Sequence, residues 1–317
     1  MSMYERSLDV WSTLAPEWDA GMGRDGNVFW EHLEKPYLER FLAEKKATKG
    51  GEVVQALDIS TGNGLTARWL VSYLSGTGEY GGKGAADSDK AGPVNVTATD
   101  GSDDMLSRAR SWAADNADVT PQQRNITFSK LDVTKPEDFA LFYKVPPADK
   151  PYDVILMNMA IMDVPTLEPL AAALPHMLAV GGVFVGSLLH PVFITPRTRR
   201  HIELVDDYDD DGGDGRGIQT TRGVRRSVKL DRYLNVAPWR GYAWPGQSRA
   251  QYYFHRPMHE LFGTFLKSGH LALDGLEEPA YTPELLAADP KLGEKIESSK
   301  NFTEFPIFMF FRLRRIK

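Results

Sequence analysis

The sequence predicts an α/β fold: a doubly wound sheet of seven strands, mostly parallel with an antiparallel last strand, covered by helices on both faces. Three observations carry this reading. Apolar β-forming runs alternate with helical stretches between residues 51 and 191, the pattern of a parallel sheet with crossover helices. The stretch LDISTGNG at 57–64 puts a glycine-rich turn between the first strand and the first helix of that series. Two more apolar runs, LALDGLEEPAY and PIFMFFRLRR, follow a last helix and are spaced to pair antiparallel at the end of the sheet.

Residues 1–50 read as a helical lid segment, with a second apolar face in VFWEHLEKPYLERFL at 28–42. EVVQALDI at 52–59 is the first strand, and TARWLVSYL at 66–74 has the spacing of an amphipathic helix. SGTGEYGGKGAADSDKAGP at 75–93 has too much glycine and polar character to pack and reads as a surface insertion. VNVTATD at 94–100 is the second strand, followed by the helix-like SDDMLSRARSWAADN; NITFSKLDVT at 125–134 is the third, followed by PEDFALFYK. YDVILMNMA at 152–160, LEPLAAALPHML at 167–178 and GVFVGSLLHP at 182–191 supply the fourth strand, its helix and the fifth strand. These units make residues 51–191 the core of the fold.

From 192 to 255 the periodicity fails, and the segment reads as an insertion capping the ligand edge of the sheet, with an acidic loop near 206–218. Residues 256–317 complete the core with a helix in HRPMHELFGTFLKSG and the final strand pair.

Composition narrows the chemistry. The net charge of −6 opposes a nucleic-acid partner, which requires a concentrated basic face. The one basic cluster, TRGVRRSVK at 221–229, follows an acidic run that neutralises it. With no cysteine, there is no thiol chemistry, disulfide or iron–sulfur cluster, and the seven histidines form no metal-ligand motif. The start of the chain has early charges and no continuous apolar stretch, so no secretory signal is expected. Pro175, His176 and the Gly181-Gly182 pair break the one long apolar stretch, at 170–189, into helix, turn and strand. A cytoplasmic protein with no membrane or nucleic-acid partner is expected.

In an open parallel sheet, ligands bind beyond the carboxyl ends of the strands. The first strand ends at Asp58, Ser60, Gly62 and Gly64, the second at Asp100, the third at Asp132 and the fourth at Asn158. Glycines on a strand-to-helix turn let a ligand approach the backbone, and the helix start offers free N–H groups. An acid ending the second strand can accept both hydroxyls of a ribose diol or cap the next helix. Asp132 suits an amino group of a purine, and Asn158 an amino-acid moiety or a substrate.

These residues resemble those of class I S-adenosylmethionine-dependent methyltransferases of the small-molecule, methyltransferase-11-like type. LDISTGNG is similar to the first motif of that family, VTATDGSDDMLSRAR to the second, KLDV to the third and YDVILMNMAIMD to the fourth. The resemblance covers most of residues 10–191 and the QYYFHRPMHELF stretch with the strand after it. It implies a Rossmann-like fold, S-adenosyl-L-methionine as cofactor with S-adenosyl-L-homocysteine as product, and a small-molecule acceptor. It also implies cofactor contacts from Asp58, Ser60, Gly62 and Gly64; from Asp100, Gly101, Ser102 and Met105; from Leu131, Asp132 and Val133; and from Asn158 and Met159. By the same resemblance, Trp18 and Met22 belong to a lid over the cofactor. The chain departs from the family pattern at Ser60, where a glycine is usual. The interval from Gly64 to Asp100 also exceeds the roughly 20 residues expected between glycine loop and acid, which the insertion at 75–93 explains.

Methyl transfer needs a base only if the acceptor must lose a proton. His190, at the end of the fifth strand, is the first candidate, with Tyr253 and His255 in QYYFHRP next, beside Tyr252. Trp239, Tyr242 and Trp244 in PWRGYAW are suited to wall an apolar or aromatic acceptor. Two rivals differ in class. An NAD-dependent oxidoreductase would carry GxGxxG, which is absent because Leu65, Thr66 and Ala67 follow Gly64. A protein of the same fold that binds the cofactor without transferring methyl, as a regulator or a rearrangement enzyme, is compatible with the lack of an unambiguous base.

Overall fold

The structure, a computed structural model, describes residues 3–76, 92–114, 126–143, 150–208, 220–244, 246–288 and 299–317. Residues 77–91 of the glycine-rich insertion, and 209–219 of the acidic run, lie outside the described residues.

Seven strands form one sheet: β1 (Val54–Ile59), β2 (Val94–Asp100), β3 (Ile126–Lys130), β4 (Tyr152–Met157), β5 (Leu178–Leu189), β10 (Leu271–Glu277) and β11 (Phe308–Arg315). Their order is β10-β11-β5-β4-β1-β2-β3. Strand β1 lies between β2 and β4, parallel to both, and β11 runs antiparallel to its neighbours β5 and β10. The order reverses at β1, so β1 and the two strands beside it define the switch point where an open sheet of this kind takes its ligand.

Alternation along the strands explains the burial of both faces. Ala56, Val154, Leu156, Val183, Val185 and Phe310 turn to one side, where they meet α2 (Lys35–Leu42) and α3 (Leu65–Ser75). Leu57, Ile155, Met157, Phe184, Met309 and Phe311 turn to the other, against α5 (Glu168–Met177) and α6 (Met258–Leu266). Helix α4 (Asp103–Ala114) follows β2 and buries Met105, Leu106 and Ala109. Helix α1 (Met3–Met22) buries Val10, Leu14 and Ala15 and packs against α4.

Three local differences from the sequence pattern have simple causes. PEDFALFYK begins with proline and forms a tight 3₁₀ segment, Pro136–Phe142, instead of an α-helix. Strand β5 starts at Leu178, before the glycine pair, because Leu178 already pairs with Tyr152 and a register shift absorbs the extra residues. The segment from 192 to 255, aperiodic in sequence, contains a two-stranded ribbon of β6 (Thr198–Tyr208) and β7 (Thr220–Leu230), and a short pair, β8 (Trp239–Gly241) with β9 (Gln251–Tyr253). A ribbon with both faces near solvent does not need the apolar alternation by which strands are recognised. Its register sets Glu203 opposite Arg225, which joins the acidic run to the basic cluster. Among the described residues no helix is long and apolar enough to cross a membrane.

Gly186 on β5 lies directly opposite Phe311 of β11. A Cβ there would come within 2.6 Å of the Phe311 ring and 2.7 Å of Ile161. Gly186→Ala is therefore expected to lower stability by about 1 to 3 kcal/mol through overpacking, read as a shifted midpoint in chemical denaturation. An unchanged midpoint would show that the two side chains yield freely.

Candidate functional site

The turn after β1 is built from left-handed residues. Ser60, Gly62 and Gly64 have φ of 59°, 57° and 80°. Gly62 and Gly64 take this conformation freely, whereas a serine does so at a cost. The family pattern's glycine at position 60 thus has a physical basis, and Ser60 adopts the same geometry under strain. A Cβ on Gly62 would come 3.3 Å from Trp18 Nε1, and one on Gly64 would come 3.0 Å from Ala109, so both glycines are also close approaches.

The turn is held from both sides. Asp100 at the end of β2 accepts the Gly62 N–H at 3.0 Å through Oδ2 and the Ser102 N–H at 2.9 Å through Oδ1. On the other side, Asn63 Nδ2 donates to Asp19 of α1 at 3.0 Å and to the Gly23 carbonyl at 3.1 Å. Asp19 also accepts from Trp112 Nε1 at 2.6 Å and Arg108 at 3.0 Å. Burial alone would raise the Asp19 pKa, but the hydrogen bonds from Trp112, Asn63 and Arg108 outweigh it and hold the carboxyl below its ordinary range. Arg68 completes the latch, donating to the carbonyls of Asn63 and Arg24 at 2.8 and 3.0 Å.

At the carboxyl ends of β1 to β4 these residues enclose a cavity of about 110 Å³. Ser60 and Gly62 line it from the first turn, Asp100, Gly101 and Met105 from the second, Leu131 and Val133 from the third, and Asn158 and Met159 from the fourth. Trp18 closes it from α1. Five of the residues implied as cofactor contacts stand just outside. Asp58 is fully buried, and its Oδ2 accepts from Thr61 and Thr66 at 2.6 Å each. Gly64 packs on α4, and Ser102 caps that helix by accepting the Met105 N–H at 3.3 Å. Asp132 folds back on its own turn, accepting from the Thr134 N–H at 3.0 Å and its hydroxyl at 2.7 Å. Met22 packs against the core beside α2 and α3.

Asn158 belongs to a relay that fixes its amide. The Met159 N–H donates to Ser187 Oγ at 2.8 Å, so the Ser187 hydroxyl hydrogen is directed to Asn158 Oδ1 at 2.6 Å. Nδ2 is then left to donate to Glu34 Oε2 at 2.7 Å. Glu34 ends a π-helical turn, Trp30–Glu34, and burial pushes its carboxyl up to about 7 against the opposing Asn158 bond. Met159 is itself left-handed, with φ of 50°, so a second strained residue faces the cavity. Burial also raises Asp58 to about 7 and Asp100 to about 6, against the hydrogen bonds each accepts.

The three proposed bases lie elsewhere. His190 is 1% exposed, with Nε2 2.7 Å from Glu278 and Nδ1 accepting the Val192 N–H at 3.2 Å. Burial lowers its pKa, and Glu278 only partly offsets this. The Tyr253 hydroxyl accepts from Gln251 at 2.7 Å and its ring stacks on Trp239 at 5.2 Å. His255 Nε2 donates to the Tyr233 carbonyl at 2.7 Å. None of the three lines the cavity. Of the insertion aromatics, Trp244 packs on Trp18 at 5.9 Å, Trp18 in turn meets Trp11 at 5.4 Å, and Tyr242 is exposed. The turn between β8 and β9 is tied to α1 by the Ser248 bond to Glu17 and the Arg249 pair with Asp9 at 2.8 Å.

Sequence reasoning missed Ser7, Leu8 and Trp11 of α1, and Ala160, Asp163 and Val164 after β4, all of which line the cavity. The tryptophans spaced along the first helix were the available signal for α1, and Asp163 stands inside the fourth motif. Among the described residues, no three His, Asp or Glu side chains converge to hold a metal ion.

No family model and no curated protein sequence matches the chain. Solved structures do. A structure of an S-adenosylmethionine dependent methyltransferase from Mesorhizobium loti is 23% identical, covers 92% of this chain and 100% of its own, and has a TM-score of 0.56. A protein from Listeria monocytogenes, assigned to the same class, is 16% identical over 90% of this chain and 97% of its own, with a TM-score of 0.52. The fold is that of the class I S-adenosylmethionine-dependent methyltransferases.

Glu34 supplies a pH test. Its folded pKa is raised to about 7, so at intermediate pH the folded state holds a proton that the unfolded chain releases near 4.3. This contribution to stability is present at acid pH and lost as pH rises through 7. Glu34→Gln keeps an acceptor for Asn158 without the proton. Its melting temperature is therefore expected to gain on the unsubstituted protein between mildly acidic and mildly alkaline pH; a constant difference would refute the raised pKa.

Proposed function

We propose that this protein binds S-adenosylmethionine in the cavity at the carboxyl ends of β1 to β4 and transfers its methyl group to a small, apolar or aromatic acceptor in the cytoplasm. The observation that carries the reading is the joint between the left-handed Gly62 turn and the Asp100 carboxylate, set at the mouth of the cavity and covered by Trp18.

The residues present suit the cofactor. Asp100 keeps a lone pair on each oxygen for a ribose diol after accepting two N–H bonds. Leu8, Met105, Leu131 and Val133 offer an apolar slot for a flat base. Ser60 and Gly62 bring backbone close enough to hold the amino-acid portion, and Asp58 Oδ1, buried without a partner, is an unmet acceptor beside that turn. When bound, the cofactor supplies a methyl group on a cationic sulfur, activated for attack by a nucleophile. The chain's own contribution is positioning and exclusion of water: the tryptophans of α1 close the cavity, the Glu34–Asn158–Ser187 relay fixes the polar edge beside Met159, and Trp244 extends the aromatic wall toward the insertion.

A second reading, cofactor binding without transfer, is favoured by one observation: His190, Tyr253 and His255 all lie away from the cavity with polar atoms engaged. A product one methyl heavier than its acceptor would exclude it.

Calorimetric titration with S-adenosylmethionine, S-adenosylhomocysteine and NAD tests the proposal. Micromolar binding of the first two and none of NAD is expected, and binding of NAD alone would overturn it. Asp100→Ala should weaken both cofactor forms by roughly 1 to 3 kcal/mol, about 5- to 150-fold. Unaltered affinity would reduce Asp100 to a support for the turn and for α4.

A further inference from the structure

Asp163 ends the short 3₁₀ turn Ile161–Asp163 that follows β4, and it lines the cavity. The backbone of this turn is tied down on all sides. Phe254 N–H donates to the Met162 carbonyl at 2.7 Å, Arg256 donates to the carbonyls of Val164 at 2.6 Å and Ile161 at 3.4 Å, and Ser7 Oγ donates to the Asp163 carbonyl at 3.2 Å. The side chain is treated differently: Oδ1 is shut off from solvent and has no hydrogen-bond partner. A buried acceptor left unmet costs about 1 to 3 kcal/mol, and here it belongs to a side chain carried by a tied turn that lines the cavity the proposed cofactor would fill.

The charged groups around it do not neutralise it. On the β9 side stands Tyr253, whose hydroxyl pKa is raised first by burial and then by the charge of Asp163. Arg256 spends its guanidinium on backbone carbonyls. Asp100 shares the cavity and Glu34 stands behind Asn158, both carboxyls. From α1 the cavity receives Ser7, Leu8 and the tryptophans, none of them charged.

We propose that Asp163 is the proton acceptor of the transfer site, and that the acceptor is therefore an oxygen or nitrogen nucleophile bearing a hydrogen. This rests on the cofactor reading above. Burial holds the Asp163 carboxyl well above the usual carboxylate range and so favours its protonated form while the cavity lacks a cation. A sulfonium entering the cavity favours the ionised form and releases that proton to solvent. In the transfer step the lone pair of the accepting atom forms the bond to the methyl carbon while the carbon–sulfur bond breaks toward sulfur. The hydrogen of the accepting atom passes to the Asp163 carboxylate, leaving a neutral thioether, a methylated acceptor and a protonated carboxyl ready for the next cycle.

Proton release on cofactor binding is the test, measured by calorimetry of the intact protein in two buffers of different ionisation heat at mildly acidic pH. S-adenosylmethionine carries the sulfonium and S-adenosylhomocysteine does not, so contacts common to both cancel in the comparison. The expected result is release of up to about one proton with the first and markedly less with the second, and a ratio of their affinities that climbs by up to about tenfold per pH unit. In Asp163→Asn, both should still bind, with the difference in proton release gone and the affinity ratio flat. Equal release by the two ligands in the unsubstituted protein, or an unchanged difference in Asp163→Asn, would overturn the role of Asp163 while the cofactor reading stands. Failure of both ligands to bind the unsubstituted protein would remove the cofactor reading and this inference together.

Discussion

The hydrogen bond from the Gly62 N–H to the Asp100 carboxylate is the joint on which the site is assembled. It connects the end of β1 to the end of β2 across a turn in which alternate residues are left-handed, a conformation that leaves N–H groups pointing outward with no helix to receive them. The Thr61 and Gly64 N–H groups find backbone carbonyls, whereas the Gly62 N–H depends on position 100, and losing that acceptor costs about 1 to 3 kcal/mol. The carboxylate satisfies one of them and, through Ser102, starts α4. Strand end, turn and helix start are fixed by a single side chain.

Around that joint the molecule tolerates strain. Ser60 and Met159, neither of them glycine, are held left-handed at the cavity. Carboxyls at Asp58, Glu34 and Asp163 are buried where desolvation penalises their charge. A core built for stability alone would have replaced these groups with apolar ones of similar size. Their concentration at one end of one sheet, with well-packed apolar layers on both faces behind them, is the pattern of a preorganised site supported by a rigid scaffold.

Much of the fold was legible because it depends on short-range signals. Continuous apolar β-forming runs at β1, β4 and β11, buried on both faces, and the glycine turn at 57–64 suffice to place these strands. The β6–β7 ribbon was not legible, since it is stabilised by pairing along its own length and not by burial of one face. In the site, the glycines and Asp100 could be read from sequence because backbone geometry dictates them. His190 illustrates the opposite case: it stands at the end of β5 as a base should, yet Glu278, 88 residues later, engages its Nε2. Asp163 was passed over for the complementary reason. An acid six residues past a strand resembles any surface acid until the contacts of Phe254 and Arg256 with its turn reveal that it is held at the cavity.

The cover over the cavity is a single mechanical unit. Helix α1 is latched to the glycine turn through Asp19 and Asn63, and to the turn between β8 and β9 through Glu17, Asp9 and Arg249. A displacement of α1 that opens the cavity therefore moves the wall on the insertion side as well. In the proposed cycle, departure of the methylated product and exchange of the spent cofactor draw on the same opening. The paths of the two ligands are thereby tied to the position of one amphipathic helix.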